Sequence, residues 1–100
     1  MNSAENLYII ALEECAEMQQ CITKILRFGK DNHHPDRHET NERELLKEYY
    51  QLQCIMNTLF DNEIIKDLSE DEIQTIKSLK KNSIIKYAKL SQELGCIQST

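Results

Sequence analysis

Four polar residues at helical spacing are the side chains of this sequence best suited to chemistry. Glu14 and Glu17 lie one turn apart in ALEECAEMQQ (residues 11–20), and Glu48 and Gln51 repeat that spacing further along the chain. On a helical wheel of about 100° per residue, Glu14 falls near the centre of an apolar stripe and Glu17 at its edge. Glu48 and Gln51 take the matching places in the stripe of a second helix.

Carboxylates on a packing face predict a cation site. Buried carboxylates are costly unless they are paired or bound to a metal. If the two helices pack together, the three glutamates and Gln51 form an oxygen-rich pocket whose carboxylates repel each other until a cation joins them. Hard oxygen ligands suit Mg²⁺, with Mn²⁺ as an alternative, rather than Zn²⁺. A simple solvated face explains either pair alone, and two matching pairs favour the pocket.

Three amphipathic helices are predicted to position these residues. The first covers about residues 2–28, with an Asn2–Glu5 capping box and a stop at Gly29. A polar loop at residues 29–40 follows. The second helix begins at Thr40 or Asn41, where Asn41 and Glu44 form a capping box. It ends near residues 61–62. The third opens with a Ser69–Glu72 capping box and ends at Gly95.

Each helix carries an apolar stripe, and strand alternation is absent from the sequence, so the predicted fold is an all-α helical bundle. We expect the first two helices to pack antiparallel and the third to cover them. The apolar surface left over predicts a homodimer or a dimer of dimers. The three stripes comprise Leu7, Ile10, Ala11, Met18, Cys21, Ile25 and Phe28; Leu45, Tyr49, Leu52, Ile55, Met56, Leu59 and Phe60; and Ile73, Ile76, Ile84, Tyr87, Leu90 and Leu94.

Length and charge narrow the class of protein. One hundred residues make a single domain, 1–100, and a net charge of −5 argues against nucleic-acid binding. No apolar run approaches a membrane span, and the N-terminus lacks the apolar core of a signal peptide. The four cysteines have no CxxC spacing. We interpret them as reduced thiols of a cytoplasmic protein, most of them on or near packed faces.

The motifs resemble those of a known family. EECAE (13–17) followed by EYYQ (48–51) is similar to the EExxE…ExxD pattern of the MazG-like all-α nucleoside triphosphate pyrophosphatases, specifically the small bacterial and phage type. Further segments look similar to the family: KILRFGKD (24–31), TNEREL (40–45) and KYAKLSQELG (86–95). The likeness covers most of the chain. It departs from the pattern at Gln51, where the family has an aspartate.

The resemblance implies a Mg²⁺-dependent hydrolase that cleaves a (deoxy)nucleoside triphosphate between its α and β phosphates. The products would be a nucleoside monophosphate and pyrophosphate, in a house-cleaning role for the nucleotide pool. By position, Glu14, Glu17 and Glu48 would be catalytic metal ligands, with Gln51 as a fourth ligand. Mg²⁺ would neutralise the triphosphate and favour a hydroxide-like water, and one of the glutamates could accept its proton.

Other residues carry weaker signals. Lys24 and Arg27 could contact substrate phosphates, or they could be cations placed favourably at a helix C-terminus. Lys80 could extend past its apolar neighbours to solvent or reach the pocket from a neighbouring subunit. Glu44, one turn before Glu48, could reach the pocket edge and compensate for Gln51.

Two further groups of residues have modest interpretations. Tyr49 and Tyr50 could stack on a base, although core packing is the usual role of a residue at the position of Tyr49. The loop histidines, which we interpret as solvated, are His33, His34 and His38.

Two other functions compete with the pyrophosphatase. A catalytically weakened relative could bind a nucleotide or a protein partner through the same helical surface, because Gln51 offers an oxygen without a charge. A plain helical assembly protein could place the glutamates at a polar subunit interface.

Overall fold

A computed structural model, which describes residues 1–98, contains three α-helices and, within those residues, no strand. They are α1 (Ser3–Phe28), α2 (Asn41–Asp61) and α3 (Glu70–Glu93). The predicted all-α class is confirmed. The chain forms two compact units: Met1–Lys66 holds α1 and α2, and the second unit begins at Asp67 and holds α3.

Local signals in the sequence set the ends of α1. The side chain of Asn2 accepts a hydrogen bond from the Glu5 N–H at 2.8 Å, as the capping box predicts. Gly29 follows the helix with a φ of 93°, a backbone conformation that residues with a Cβ rarely adopt. Its N–H donates to the Ile25 carbonyl at 2.8 Å. One of the carbonyls in the last turn of the helix, which have no partner within the helix, is therefore hydrogen-bonded.

Helices α1 and α2 pack antiparallel, as the sequence predicts. Glu14 lies beside Gln51 near the middle of the pair, and Lys24 lies beside Glu44 towards the end that the loop joins. The buried apolar residues between the helices are Cys21, Ile55 and Leu59. Leu59 is 1% exposed and anchors this small core. Around it, the predicted stripes supply half-buried side chains: Leu7, Ile10, Ala11, Met18, Ile25, Leu45, Leu52, Met56 and Phe60.

Some stripe residues are more exposed than their spacing suggests. Phe28 is 57% exposed because it occupies the last position of α1. Tyr49 is 46% exposed, so its predicted core role is wrong; it lies at the edge of the stripe, with its ring 4.9 Å from that of Tyr50. The four cysteines are free thiols, but the predicted placement of most of them on or near packed faces is wrong, since Cys21 is buried while Cys15, Cys54 and Cys96 are exposed.

The loop at residues 29–40 docks against the first turn of α2. Thr40 is the N-cap, its hydroxyl accepting from the Arg43 N–H at 3.1 Å, which corrects the predicted capping box of Asn41 and Glu44. The N–H of Asn41 donates to the Asn32 carbonyl (2.8 Å), and that of Glu42 to the Lys30 carbonyl (3.0 Å). The loop therefore satisfies donors that the helix itself cannot pair.

Helix α3 begins as predicted. The Ser69 hydroxyl accepts from the Glu72 N–H at 3.2 Å. The helix ends at Glu93, and Gly95 follows with φ of 77°. The packing of this helix on the first two stays a prediction. None of the three helices, as far as the structure describes them, has the length and apolar character needed to cross a membrane.

Candidate metal centre and the adjoining cleft

The structure brings the three predicted glutamates together. One carboxylate oxygen each from Glu14, Glu17 and Glu48 lies within 4.8 Å of the other two. Glu14 and Glu48 are half-buried between the helices, and Glu17 is exposed at the edge. This is the arrangement that the helical wheels predict: α1 supplies two ligands at i, i+3 spacing, and α2 supplies the third from the facing stripe.

Gln51 completes the acidic cluster, which we define as Glu14, Glu17, Glu48 and Gln51. With its amide nitrogen turned to the carboxylates, Gln51 donates to Glu48 Oε2 at 3.0 Å and to Glu14 Oε2 at 3.2 Å. These two bonds ease the repulsion between the two carboxylates. The rotated amide would instead present its carbonyl oxygen, so the same residue can serve the metal-free cluster as a donor and a cation as a ligand.

Glu48 has a strongly raised pKa in the cluster. Burial, hydrogen bonds with Glu14 and Glu17, and the negative charge of both together raise the pKa of Glu48 from 4.5 to about 7. Each of these causes favours the protonated carboxyl. The cluster without a cation therefore takes up a proton near neutral pH.

A cleft of about 290 Å³ adjoins the cluster and combines both signs of charge. Its acidic residues are Glu17, Glu44 and Glu48, and its cations are Lys24, Arg37 and Lys47. The buried Cys21 also lines it, and burial and the nearby Glu48 and Glu44 carboxylates raise the pKa of the Cys21 thiol. Side by side, the carboxylates can hold a cation and the cationic side chains can hold phosphate oxygens.

Glu44 organises the cationic part of the cleft. Its carboxylate is 3.1 Å from Arg37 Nη1 and 3.9 Å from Lys24 Nζ, with only 14% of the side chain exposed. Glu44 thus joins α1, the loop and α2 through ion pairs. It lies outside the three-glutamate group, so the interpretation of Glu44 as a substitute for the missing carboxylate at position 51 gives way to a role as the counterion of two cations.

The predicted phosphate contacts fall in three different places. Lys24 lines the cleft beside Glu17. Arg27 does not: its guanidinium lies over the Phe28 ring, 5.4 Å from the ring centre. Lys80 is an exposed residue of α3, in the second unit. Among the three, the geometry of the first unit favours Lys24.

Sequence reasoning missed Arg37 and Lys47. Arg37 lies in the loop, where no periodicity indicates a direction, and only contact with Glu44 brings it to the cleft. Lys47 precedes Glu48 and pairs with Glu39 at 3.1 Å. The TNEREL segment (40–45) contains Glu44 but neither Arg37 nor Lys47. Two of the loop histidines contact their neighbours in the loop. His33 Nδ1 lies 2.8 Å from the His34 carbonyl oxygen, and His34 Nδ1 accepts from the Asp36 N–H at 3.1 Å.

Comparison of the chain with protein-family models, with curated proteins and with solved structures found no match.

Proposed function

We propose that this protein is a Mg²⁺-dependent nucleotide pyrophosphohydrolase that cleaves a (deoxy)nucleoside triphosphate to the monophosphate and pyrophosphate. The observation that carries the proposal is the acidic cluster, with three carboxylate oxygens within 4.8 Å, directly beside a cleft that holds Lys24, Arg37 and Lys47. The resemblance to the MazG-like pyrophosphatases supports it. A house-cleaning role in the cytoplasm belongs to the same proposal.

The donor set fits Mg²⁺ or Mn²⁺. Glu14, Glu17 and Glu48 offer carboxylate oxygens, Gln51 offers an amide oxygen, and none of the four offers nitrogen or sulfur as a ligand. The raised pKa of Glu48 indicates that this side chain lacks a positive partner, which a cation would supply. Bound Mg²⁺ supplies Lewis-acid neutralisation of the phosphate charge.

The protein's own residues would perform the remaining steps. Lys24, Arg37 and Lys47 would bind the negatively charged phosphate oxygens and orient the chain of phosphates along the cleft. A glutamate of the cluster would accept a proton from the attacking water. The water oxygen then forms its bond to the α-phosphorus, the bond from that phosphorus to the bridging oxygen breaks, and pyrophosphate leaves.

A panel of canonical and modified nucleoside triphosphates, assayed with Mg²⁺, tests the proposal. Inorganic pyrophosphatase added after the reaction converts the pyrophosphate product to phosphate, which is then measured. We expect release of phosphate only after that addition, together with one monophosphate per nucleotide consumed. Direct release of phosphate without pyrophosphatase, or no turnover of any nucleotide, would contradict the proposal.

Gln51 favours a second candidate, a weakened relative that binds nucleotide without hydrolysing it. Its amide already donates to Glu14 and Glu48, so the cluster has a neutral substitute for part of the cation's role. Nucleotide binding without turnover in the same panel would favour this candidate.

Gln51→Asp should strengthen Mg²⁺ binding and leave turnover equal or higher. The substitution exchanges two donated hydrogen bonds for a fourth negative charge, so the metal-free protein should lose about 1 kcal/mol of stability. Added Mg²⁺ should then raise its melting temperature more than that of the wild type. Thermal unfolding with and without Mg²⁺, at ionic strength matched with NaCl, measures both effects.

Two outcomes of the Gln51 experiment carry further meaning. Unchanged metal affinity and turnover would show that Gln51 does not face a bound metal. Robust hydrolysis by Gln51→Asp with an inactive wild type would identify the natural protein as a binder.

We also propose a homodimer or a dimer of dimers. In support, α1 carries a second apolar stripe that the first unit leaves exposed: Tyr8 (46%), Leu12 (69%), Ile22 (45%) and Leu26 (81%). The spacing of these residues keeps them on one side of the helix. Sedimentation at micromolar concentration should show a dimer or tetramer, and the Leu12→Lys/Leu26→Lys double variant should shift it towards monomer. A monomeric wild type would contradict this proposal.

A further inference from the structure

A second cavity, of about 430 Å³, lies between the end of α1 and the loop at residues 29–40. Lys24 lines both this cavity and the cleft beside the acidic cluster, so they adjoin. The surface of the second cavity is mainly apolar. Besides Lys24, its wall is formed by Phe28, Asn32, His33, His34, Pro35 and Asn41. Its volume falls within the range of small-molecule sites, which combine apolar walls with a few fixed polar groups. We call it the Phe28 cavity.

Phe28 gives this cavity an aromatic surface. Phe28 is 57% exposed at the end of α1, and the guanidinium of Arg27 lies 5.4 Å from the centre of its ring. An exposed ring beside a cationic cleft suits the flat, apolar face of a nucleobase. Such stacks contribute about 1–3 kcal/mol and tolerate different bases.

The cavity is held in shape by hydrogen bonds between the loop and the helices. Asn41, only 3% exposed, donates from Nδ2 to the Gly29 carbonyl at 2.9 Å. The Asn32 side chain donates to the Phe28 carbonyl, and the Asn32 carbonyl accepts from the Asn41 N–H. The wall is therefore formed before any ligand arrives, which lowers the entropy cost of binding.

We propose that the Phe28 cavity binds the nucleoside part of the substrate, with the base stacked on the Phe28 ring. The phosphates then extend past Lys24 into the cleft beside the acidic cluster. This inference rests on the proposed function, and it adds that the loop at residues 29–40 and Phe28, rather than Tyr49 or Tyr50, hold the base.

Comparison of triphosphate ligands with and without a base tests the site. ATP and UTP carry a base, whereas inorganic tripolyphosphate does not. Calorimetry in Ca²⁺, chosen to slow turnover, would give the dissociation constants of all three for the wild type, Phe28→Ala, Phe28→Trp and Tyr50→Ala. Tyr50 is the matched aromatic control, because it is 60% exposed and lies on α2 outside the cavity.

We expect Phe28→Ala to weaken binding of the better-bound nucleotide by about 5- to 150-fold, the range for losing one stack. Its affinity for tripolyphosphate should stay within about twofold of the wild type. Phe28→Trp should keep nucleotide affinity, and Tyr50→Ala should resemble the wild type for every ligand.

Several outcomes would overturn the proposal: equal losses for nucleotide and tripolyphosphate in Phe28→Ala, no loss for either, or a nucleotide-specific loss in Tyr50→Ala. A wild type that binds tripolyphosphate as tightly as nucleotide would also overturn it while leaving the phosphate cleft in place. Nucleotide binding without Mg²⁺-dependent hydrolysis would remove the enzymatic proposal alone, since the same comparison of variants still decides the site of the base. A wild type that binds neither ligand would end both proposals.

Discussion

Glu48→Gln should lower nucleotide hydrolysis by at least about 100-fold and at the same time stabilise the metal-free protein. The rate falls because the cluster loses one of its three carboxylates, and a loss of about 2.7 kcal/mol of transition-state stabilisation suffices for that factor. Stability rises because burial and the negative charges of Glu14 and Glu17 make the ionised Glu48 carboxylate unfavourable. A glutamine there can donate to Glu14 or Glu17 without adding charge.

Glu13→Gln is the matched control for this experiment. Glu13 belongs to the same EECAE segment, but it is exposed and lies outside the three-glutamate group. Both variants remove one negative charge, so a general charge effect would change them equally. We expect Glu13→Gln to keep turnover within about twofold and to show the wild-type increase in melting temperature on adding Mg²⁺. Equal activity of Glu48→Gln and Glu13→Gln would contradict the assignment of the cluster.

Much of the first unit follows from the sequence because short-range rules control it. Asn2 caps α1, and Gly29 ends it. The helical wheel places Glu14 and Glu48 on facing stripes, and antiparallel packing then brings Gln51 beside Glu14. Each of these features depends either on residue spacing along one helix or on the antiparallel packing of two helices, and the sequence pattern predicts both.

The remaining features depend on contacts between segments with no shared period. Arg37 reaches Glu44 from the loop, and Asn41 turns its side chain to Gly29 rather than capping its own helix. Nothing in the spacing of these residues indicates their partners. Tyr49 shows a different limit of sequence patterns. The helical wheel places it at the edge of the stripe, and whether a residue there is buried depends on how closely the two helices pack; Tyr49 is exposed.

The affinity of the free protein for Mg²⁺ should rise about tenfold per pH unit up to pH 7 and level off above it. Without a cation the pKa of Glu48 is about 7, so below that pH a proton must leave the carboxyl before a metal can bind there. Above pH 7 no such proton is displaced. Titration of Mg²⁺ followed by melting temperature, at several pH values and constant ionic strength, measures this dependence.

Glu48 also makes the stability of the metal-free protein depend on pH. This stability falls as pH rises, whereas the affinity for Mg²⁺ increases. The folded-state pKa of Glu48, about 7, exceeds its ordinary value of 4.5, so the folded protein binds more protons than the unfolded chain between these values. The contribution is fully present below about pH 4.5 and is lost as the pH rises through 7. Solvent reaches this half-buried carboxyl, so we expect a loss of about 1 kcal/mol, or about 4–8 °C in melting temperature.

Glu48→Gln provides the reference for both pH effects, because its side chain does not titrate. The difference in melting temperature between wild type and variant should grow from pH 5 to pH 8 without metal. Saturating Mg²⁺ should cancel the wild-type decline, since a cation bound by Glu14, Glu17 and Glu48 favours the ionised carboxylates. Parallel pH curves for the two proteins without metal would show that Glu48 does not titrate in this range. A wild-type decline that persists unchanged in saturating Mg²⁺ would show that the cation binds elsewhere.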